Sequence, residues 1–334
     1  MEIFINKKIW KSFTQEQAEE YADLVFRYYR EHGFPYYPTD TKWRQAEFRK
    51  LKKYDCSMVL ENKCLKQTMH GLGLAWSYFP RMWEVRCNGM QTPMEVFSDD
   101  GLFRKAIRKR MLMGDNMSDA GIRKMLKIFT GSQGVSNFRP TAVCALYNRF
   151  AEGGTVWDMS CGWGGRLLGF LVSNAERYIG TDPSIYSYEG CLAIKGDFGD
   201  SRQIELHHTG SEDFRPLKES LDFCFTSPPY FDCEHYSDEI SQSYLKFPTK
   251  KLWLQEFLKK TFENCFHGLK PGKFLAVNIA DVRSFPDLEA QTVLMAQESG
   301  FALHDKYLYL LSSLFLKSKF KAEPIFLFKK DSQP

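Results

Sequence analysis

Residues 155–170, TVWDMSCGWGGRLLGF, decide the fold because an apolar strand runs directly into a glycine-rich turn and then into an apolar helix. Glycines at such a turn let the backbone approach a ligand closely, and the helix N-terminus offers unpaired N–H groups to a carboxylate or phosphate. A glycine-rich turn also occurs as a simple tight turn. The surrounding segments therefore decide between a ligand site and a turn.

Short apolar strands alternate with helical stretches from residue 155 onward, which is the pattern of a parallel α/β sheet. Apolar residues spaced at i, i+3 and i+4 predict an amphipathic helix over residues 251–269, ended by Lys-Pro-Gly-Lys, and further helices are predicted over 164–175 and 287–299. The predicted strands are residues 155–159, 177–182, 203–208, 221–227, 274–281, 304–311 and 323–330.

Acidic residues stand near the ends of two of these strands, Asp158 in the first and Asp182 in the second. The carboxyl ends of parallel strands meet at one edge of a sheet, where ligands bind in open α/β folds. A solvent-facing carboxylate at Asp182 can accept both hydroxyls of a ribose, much as in dinucleotide folds. The presence of Asp182 at the end of the second strand therefore favours a ligand site at the glycine-rich turn.

A proline-rich loop, Ser227-Pro228-Pro229-Tyr230, follows the strand 221–227. Proline fixes its own φ, lacks a backbone donor and pushes the preceding residue into extended geometry. The loop is therefore rigid and holds a hydroxyl, two carbonyls and an aromatic ring in fixed relation. A surface turn followed by a packed tyrosine is the alternative, and the strand context favours the functional loop.

The amino-terminal part is rich in aromatic and charged residues and shows no strand–helix alternation. Residues 1–150 hold 25 Lys and Arg against 16 Asp and Glu, a net +9, whereas the whole chain carries +4. Two basic helices are predicted over residues 102–111 and 118–129; a nucleic-acid clamp and an ordinary helical hairpin both fit them. The basic residues of the first helix are Arg104, Lys105, Arg108 and Lys109.

The nine cysteines are odd in number and include no C-x-x-C pair, which predicts reduced thiols rather than a disulfide framework. Cys56, Cys64, His70 and Cys87 form a conceivable metal set, but their spacing matches no common zinc pattern, so buried free cysteines and no metal are expected. No apolar run reaches a membrane span and the N-terminus lacks a signal-peptide segment, which predicts a cytoplasmic protein.

Two motifs follow the first and fourth predicted strands, in this order: DMSCGWGG (158–165) and SPPY (227–230). This combination resembles class I S-adenosylmethionine-dependent methyltransferases, specifically those that methylate exocyclic amino groups of DNA bases. The resemblance implies a Rossmann-like α/β fold with a mostly parallel seven-stranded sheet. It also implies S-adenosyl-L-methionine as cofactor. The domains expected are a mainly helical, basic region over 1–132 and the methyltransferase domain over 133–334.

The resemblance implies a set of cofactor residues around the strand ends. Ser160 departs from the family, in which many members carry Phe under the methionine moiety. The implied contacts are Phe138 and Thr141 on the methionine side, Asp158, Cys161, Gly162 and Gly164 in the first loop, Asp182 at the ribose, and Ser211 and Glu212 at the adenine edge.

In the same resemblance a flipped base lies against Tyr230, and its amino group donates to the Ser227 side chain and the Pro228 carbonyl, with Pro229 stiffening the loop. Serine at the first position is typical of cytosine-N4 enzymes, whereas Asp or Asn is typical of adenine-N6 enzymes. The expected partner is duplex DNA. We expect the basic region and loop 231–251 to recognise the DNA. A mobile lid that orders on substrate binding is the alternative role of this loop.

Two alternatives remain. The first keeps fold and cofactor but methylates RNA or a protein side-chain amide, although Ser227 in place of Asn disfavours the amide. The second is a catalytically idle nucleic-acid-binding module. The presence of Ser227 and Tyr230 together with Asp158 and Asp182 disfavours it.

Overall fold

The computed structural model describes residues 3–128, 131–312 and 321–331. A 3-10 helix spans Pro80–Glu84, and a π-helical segment, Trp253–Lys259, joins α12 to α13. The helices are α1 (Lys7–Trp10), α2 (Gln15–His32), α3 (Thr41–Lys52), α4 (Leu72–Trp76), α5 (Pro93–Ser98), α6 (Asp100–Leu112), α7 (Asp119–Ile128), α8 (Pro140–Phe150), α9 (Gly165–Leu171), α10 (Ile185–Phe198), α11 (Ser243–Lys246), α12 (Lys250–Leu252), α13 (Lys260–Gly268) and α14 (Leu288–Glu298).

The main sheet has the strand order β1-β2-β10-β11-β9-β7-β4-β5-β6. The strands are β1 (Leu60–Glu61), β2 (Cys64–Leu65), β3 (Arg86–Cys87), β4 (Thr155–Asp158), β5 (Arg177–Asp182), β6 (Gln203–His208), β7 (Leu221–Thr226), β8 (Glu234–His235), β9 (Leu269–Asn278), β10 (Ala302–Ser312) and β11 (Lys321–Lys329).

Strands β6, β5, β4, β7 and β9 run parallel, and β11 is antiparallel between β9 and β10. This is the Rossmann-like arrangement of the class I methyltransferase fold, so the predicted fold class is confirmed. The first strand of the series, β4, lies between β5 and β7, which makes the carboxyl ends of β4 and β7 the topological switch point. Ligands of open α/β sheets bind in the crevice at such a point.

The described residues form a sheet of nine strands, two more than the seven predicted. The additional hairpin β1–β2 pairs with the edge strand β10 through Cys64 opposite Leu308 and Leu65 opposite Tyr309. Covering β10 in this way supplies partners for backbone groups that an edge strand leaves unpaired. Two-residue strands give no periodic signal, which explains why the sequence did not reveal them.

The core lies on both faces of the central strands. Every residue of β7 is buried, as expected for a parallel strand covered on two sides. Phe223 and Phe225 join one apolar cluster, with α8 and α9, while Cys224 joins the other, with α13 and α14. This alternation fixes the direction in which β7 delivers the proline loop.

Strand β9 begins at Leu269 instead of residue 274 and ends at Asn278. Leu269 pairs with Leu221 of β7, and an irregularity follows before Phe274 pairs with Phe223. The Lys-Pro-Gly-Lys sequence therefore lies inside a strand with a local irregularity. The shift places Asn278 at the carboxyl end of β9, beside the end of β7.

The chain forms two compact units that interleave along the sequence instead of dividing at residue 132. The helical unit contains the described residues up to Tyr37, together with Pro80–Ser136 and Glu234–Tyr236. The sheet unit contains Pro38–Phe79, Asn137–Cys233 and the described residues from Ser237 onward. Pro38–Phe79 belongs with the sheet because it supplies β1 and β2 and packs Phe79 into the core beside α9 and α10.

Within the helical unit, aromatic side chains of α2 and α6 form the centre of the packing. Phe26 and Tyr29 contact the ring of Phe103 at centroid distances of 5.8 and 5.9 Å. The two-stranded sheet β3–β8 completes this unit, and β8 comes from the segment that follows the proline loop.

All nine cysteines have free thiols. Within residues 3–128, 131–312 and 321–331, no three or more His, Cys, Asp or Glu side chains form a group that could hold a metal ion. In the same part of the chain, no helix combines the length and the apolar character needed to cross a bilayer.

Candidate active site

The glycine-rich loop connects β4 to α9 at the switch point and takes left-handed backbone angles at Gly162 (φ +50°) and Gly164 (φ +69°). A Cβ at position 164 would collide with Ile194 and Phe79, so this glycine is required by packing. A Cβ at position 162 would meet nothing closer than the Ser160 carbonyl at 3.6 Å. The backbone at Gly162 is therefore the part of the loop that a ligand can approach.

Asp158 anchors the start of α9. Its carboxylate is fully buried and accepts hydrogen bonds from Arg166 Nε, at 2.9 Å to both oxygens, and from the Tyr178 hydroxyl at 2.7 Å. These bonds leave no exposed surface for a ligand. The family resemblance implied that Asp158 contacts the cofactor. Its buried carboxylate instead fixes the shape of the loop.

Asp182 lies beside the loop and is only 7% exposed, whereas the sequence predicted a solvent-facing carboxylate. One carboxylate oxygen accepts from the Gly162 amide at 2.8 Å and the other from the Ser184 amide at 3.0 Å. Burial raises the pKa of Asp182 to about 6, although the two amide hydrogen bonds oppose this shift. Each oxygen keeps a lone pair for a further donor.

Ser160 joins the glycine-rich loop to the proline loop. Its hydroxyl pairs with the Thr226 hydroxyl at 2.6 Å and donates to the Ser227 carbonyl at 3.3 Å. Phenylalanine has no hydroxyl for either bond. Ser160 therefore ties the glycine-rich loop to the proline loop through its hydroxyl.

Three further predicted cofactor residues are buried. Phe138 stacks on Tyr309 at 4.4 Å, and Thr141 is fully buried with its hydroxyl 2.8 Å from that of Thr68. Cys161 is 2% exposed, and its amide donates to the Thr181 carbonyl. All three are packed in the core, and Thr141 has no surface that a ligand can touch.

Ser211 and Glu212 follow β6, which neighbours β5. The Ser211 hydroxyl is buried and pairs with Thr261 at 2.8 Å. The Glu212 carboxylate accepts from Lys246 at 2.8 Å. Ser211 is therefore turned into the core, whereas Glu212 is held at the strand ends by a side chain from loop 231–251.

That loop also contacts the residues after β5. Glu239 accepts from the Ser184 hydroxyl at 3.0 Å and from the Ile185 amide at 3.2 Å, and Ser241 donates to the Pro183 carbonyl. The part of the loop within the sheet unit thus covers the ends of β5 and β6. The lid interpretation stays a prediction, and among the residues contacted here Glu212 is the one that was predicted to face the cofactor.

In the proline loop, a directed hydrogen-bond chain orients Ser227. Asn278 donates from Nδ2 to the Pro324 carbonyl at 3.0 Å, so its Oδ1 must face Ser227. The Ser227 hydroxyl then donates to that oxygen at 3.3 Å. With its proton committed, the hydroxyl can offer lone pairs to an incoming donor.

Tyr230 is held at its far end, since its hydroxyl donates to Glu323 at 3.1 Å. The next residue, Phe231, has a left-handed φ of +55° and a buried ring packed edge-on against Trp253 and Phe285. Asp232 follows with one buried carboxylate oxygen that has no hydrogen-bond partner among the described residues. Strained backbone and unpaired buried polar atoms concentrate at functional sites.

Sequence reasoning missed Arg166, Asn278 and Glu323. Arg166 is a cation inside the apolar run GGRLLGFL, and Asn278 is an amide inside FLAVNI. A polar residue in a buried run needs a partner, which is the signal that both offered. Glu323 directly precedes Pro324 and an apolar run, and nothing local indicates its contact with Tyr230.

The basic face of α6 divides into paired and exposed residues. Arg104 forms an ion pair with Asp23, and Arg108 forms one with Glu19 at 2.8 Å, so both tie α6 to α2. Lys105 and Lys109 are exposed and form no ion pair within the described part of the chain. Of the four predicted DNA contacts, only these two lysines are available to a polyanion without breaking an internal pair.

No protein-family model and no curated protein matches the sequence. A solved S-adenosylmethionine-dependent methyltransferase from Methanosarcina mazei is 13% identical and covers 56% of this chain and 97% of its own, with a TM-score of 0.39. An S-adenosylmethionine-dependent O-methyltransferase from Thermotoga maritima is 12% identical and covers 60% and 69%, with a TM-score of 0.40. The fold follows from the strand order and register of this chain, independently of these similarities.

The buried pair between Asp158 and Arg166 gives a stability prediction. Replacing Arg166 by Leu leaves the Asp158 carboxylate buried without its cation, which costs about 3–5 kcal/mol in the free energy of unfolding. Urea denaturation measures this loss. In the control Arg177→Leu, which breaks the half-exposed pair with Glu205, the expected loss is about 1 kcal/mol or less. Equal losses in the two variants would contradict the anchoring role.

Proposed function

We propose that this chain transfers a methyl group from S-adenosyl-L-methionine to the exocyclic amino group of a base flipped out of duplex DNA, with cytosine N4 as the target atom. The observation that carries the proposal is the orientation of Ser227. Its hydroxyl donates to Asn278 and therefore presents lone pairs at the switch point, directly linked through Ser160 to the glycine-rich loop.

The residues at the loop fit the cofactor. Gly162 offers an open backbone, and Asp182 keeps acceptor capacity for the ribose hydroxyls beside it. Glu212 lies after the neighbouring strand, where the adenine edge is expected. When bound, S-adenosyl-L-methionine supplies a methyl group on a sulfonium, which an amine nitrogen displaces directly with release of a neutral thioether and one proton.

The proline loop supplies what the amine needs. An exocyclic amine is a poor nucleophile because its lone pair is delocalised into the ring. Ser227 and the Pro228 carbonyl accept hydrogen bonds from its two N–H groups and draw the nitrogen toward a tetrahedral form. The rigid prolines hold both acceptors in place before reaction, so little reorganisation remains for the transition state.

Tyr230 provides the surface against which the flipped base stacks. Its hydroxyl is engaged by Glu323, which leaves the ring face as the part offered to the base. Because its proton goes to Asn278, Ser227 acts toward the amine as an acceptor, and it is shorter than a carboxylate or carboxamide side chain. These properties favour cytosine over adenine, and Ser227 in place of Asn disfavours a protein amide.

Nucleoside mass spectrometry of DNA incubated with the protein and cofactor tests the proposal. The expected product is N4-methylcytosine, strongly reduced in Ser227→Ala because one acceptor is lost. Ser220→Ala, at the opposite end of β7, is the matched control and keeps the activity. Detection of N6-methyladenine alone would contradict cytosine as the target base, and methylation of RNA alone would contradict DNA as the substrate. Full activity of Ser227→Ala would contradict the role of the hydroxyl.

The pKa of Asp182, about 6, predicts a pH-dependent cofactor affinity. The ionised carboxylate is the better acceptor, so affinity rises with pH and is about tenfold higher at pH 7 than at pH 5. Folding responds with the opposite sign, since a raised pKa contributes stability at low pH that is lost as pH rises through 6.

Calorimetric titration with S-adenosylmethionine across this range checks the affinity change. Asp182→Asn should bind weakly with a flat pH profile, whereas Asp55→Asn, at an exposed position after α3, should match the wild type. A wild-type pH dependence retained in Asp182→Asn would assign the titration to another group.

Affinity for DNA is expected to depend on Lys105 and Lys109. Replacing both by Ala lowers the slope of log affinity against log salt by up to about two, because each phosphate contact released contributes roughly 0.9. Fluorescence anisotropy of labelled duplex at several salt concentrations measures the slope. Lys50 and Lys260, both paired with carboxylates of the sheet unit, are the matched double control. An unchanged slope in the Lys105/Lys109 variant would show that these lysines do not contact phosphates and that α6 is an ordinary solvent-exposed helix.

A further inference from the structure

Glu323 lies near the start of β11 and accepts the Tyr230 hydroxyl at 3.1 Å between Oη and Oε2. The next residue, Pro324, accepts from Asn278, which in turn holds Ser227. Two consecutive positions of β11 thus support both target-facing side chains of the proline loop. The chemistry proposed above gives Glu323 no role of its own.

The surroundings of Glu323 set its charge. Tyr230 from the proline loop, Asn278 from β9 and Lys321 from its own strand favour the ionised form, whereas Glu289 from α14 disfavours it. Tyr309 of β10 lies opposite in the strand register. Burial outweighs the favourable contacts and raises the pKa of Glu323 above its ordinary value.

We propose that Glu323 is a positioning residue that fixes the Tyr230 ring for the target base, an inference that rests on the proposed function. The Tyr230 hydroxyl also lies 3.5 Å from the Asn278 carbonyl, so the contact with the Glu323 carboxylate is the shorter of the two. An ionised acceptor makes a shorter and stronger hydrogen bond than a neutral one, so the charged carboxylate anchors the hydroxyl end. A ring ordered in advance reduces the entropy cost of binding the base.

Protonation of Glu323 weakens this anchor. As the pH falls through the pKa of Glu323, the charge-assisted bond becomes a neutral one and the ring loses its fixed position. Methylation of DNA should therefore fall on the acid side of the pH profile. Saturating cofactor removes the separate effect of Asp182 on cofactor affinity.

The test is kcat/KM for duplex DNA as a function of pH, at saturating S-adenosylmethionine, in Tyr230→Phe, Glu323→Gln and the double variant. Tyr230→Phe keeps the stacking ring and should lose roughly tenfold in kcat/KM, and Glu323→Gln roughly threefold to tenfold. The loss of kcat/KM in the double variant should be no larger than in Tyr230→Phe, because both substitutions break the same contact. The decrease of kcat/KM at low pH that is attributed to Glu323 should be absent in all three variants. Cofactor affinity should stay unchanged, and Glu298→Gln, on the surface of α14, should behave as wild type.

A second readout does not depend on activity. The 13C shift of the Glu323 carboxyl, assigned through Glu323→Gln, gives its pKa directly, and this pKa should rise further in Tyr230→Phe because the donated bond favours the ionised form. Additive losses, a retained acid limb or an unchanged carboxyl pKa in an active protein would overturn the positioning role alone. A wild-type protein that methylates no DNA base would overturn the proposed function instead.

Discussion

The glycine-rich loop is held between two buried carboxylates, and the rest of the site depends on this constraint. Asp158 binds Arg166 at the start of α9, while Asp182 takes the Gly162 amide at 2.8 Å. Desolvated charges are costly unless paired, so both carboxylates are stable only while the loop keeps its shape. The loop is thereby ordered before any ligand arrives.

The second loop of the site gains its order from the first and from the sheet behind it. Ser160 connects the two loops through the Ser227 carbonyl, and β11 supports Ser227 through Asn278 and Tyr230 through Glu323. The acceptors proposed for the amine are therefore built on rigid strands, as preorganised catalysis requires. Loop 231–251 adds a cover over the ends of β5 and β6, through Glu239 and Lys246.

Local sequence patterns predicted the parallel strands closely, because buried strands leave short apolar runs; β5 and β6 match their predicted ranges. The position of the two loops followed from these strands. Patterns did not reveal which polar residues face inward, so Asp158 and Thr141 were expected at the ligand and lie in the core. Asn278 and Glu323 act through residues distant in sequence, and Arg166 pairs across a turn with Asp158; such pairing is decided by packing. The hairpin β1–β2 was missed because two-residue strands carry no period.

The claim that the loop is ordered in advance is tested most directly by amide hydrogen exchange at Gly162 in the ligand-free protein. If Asp182 holds this amide, exchange is slow without cofactor in the wild type and becomes fast in Asp182→Ala, while Gly272, on an irregular part of β9, is unaffected by the substitution. Fast exchange at Gly162 in the wild type, slowed only when cofactor is added, would show that the ligand orders the loop and would contradict the claim.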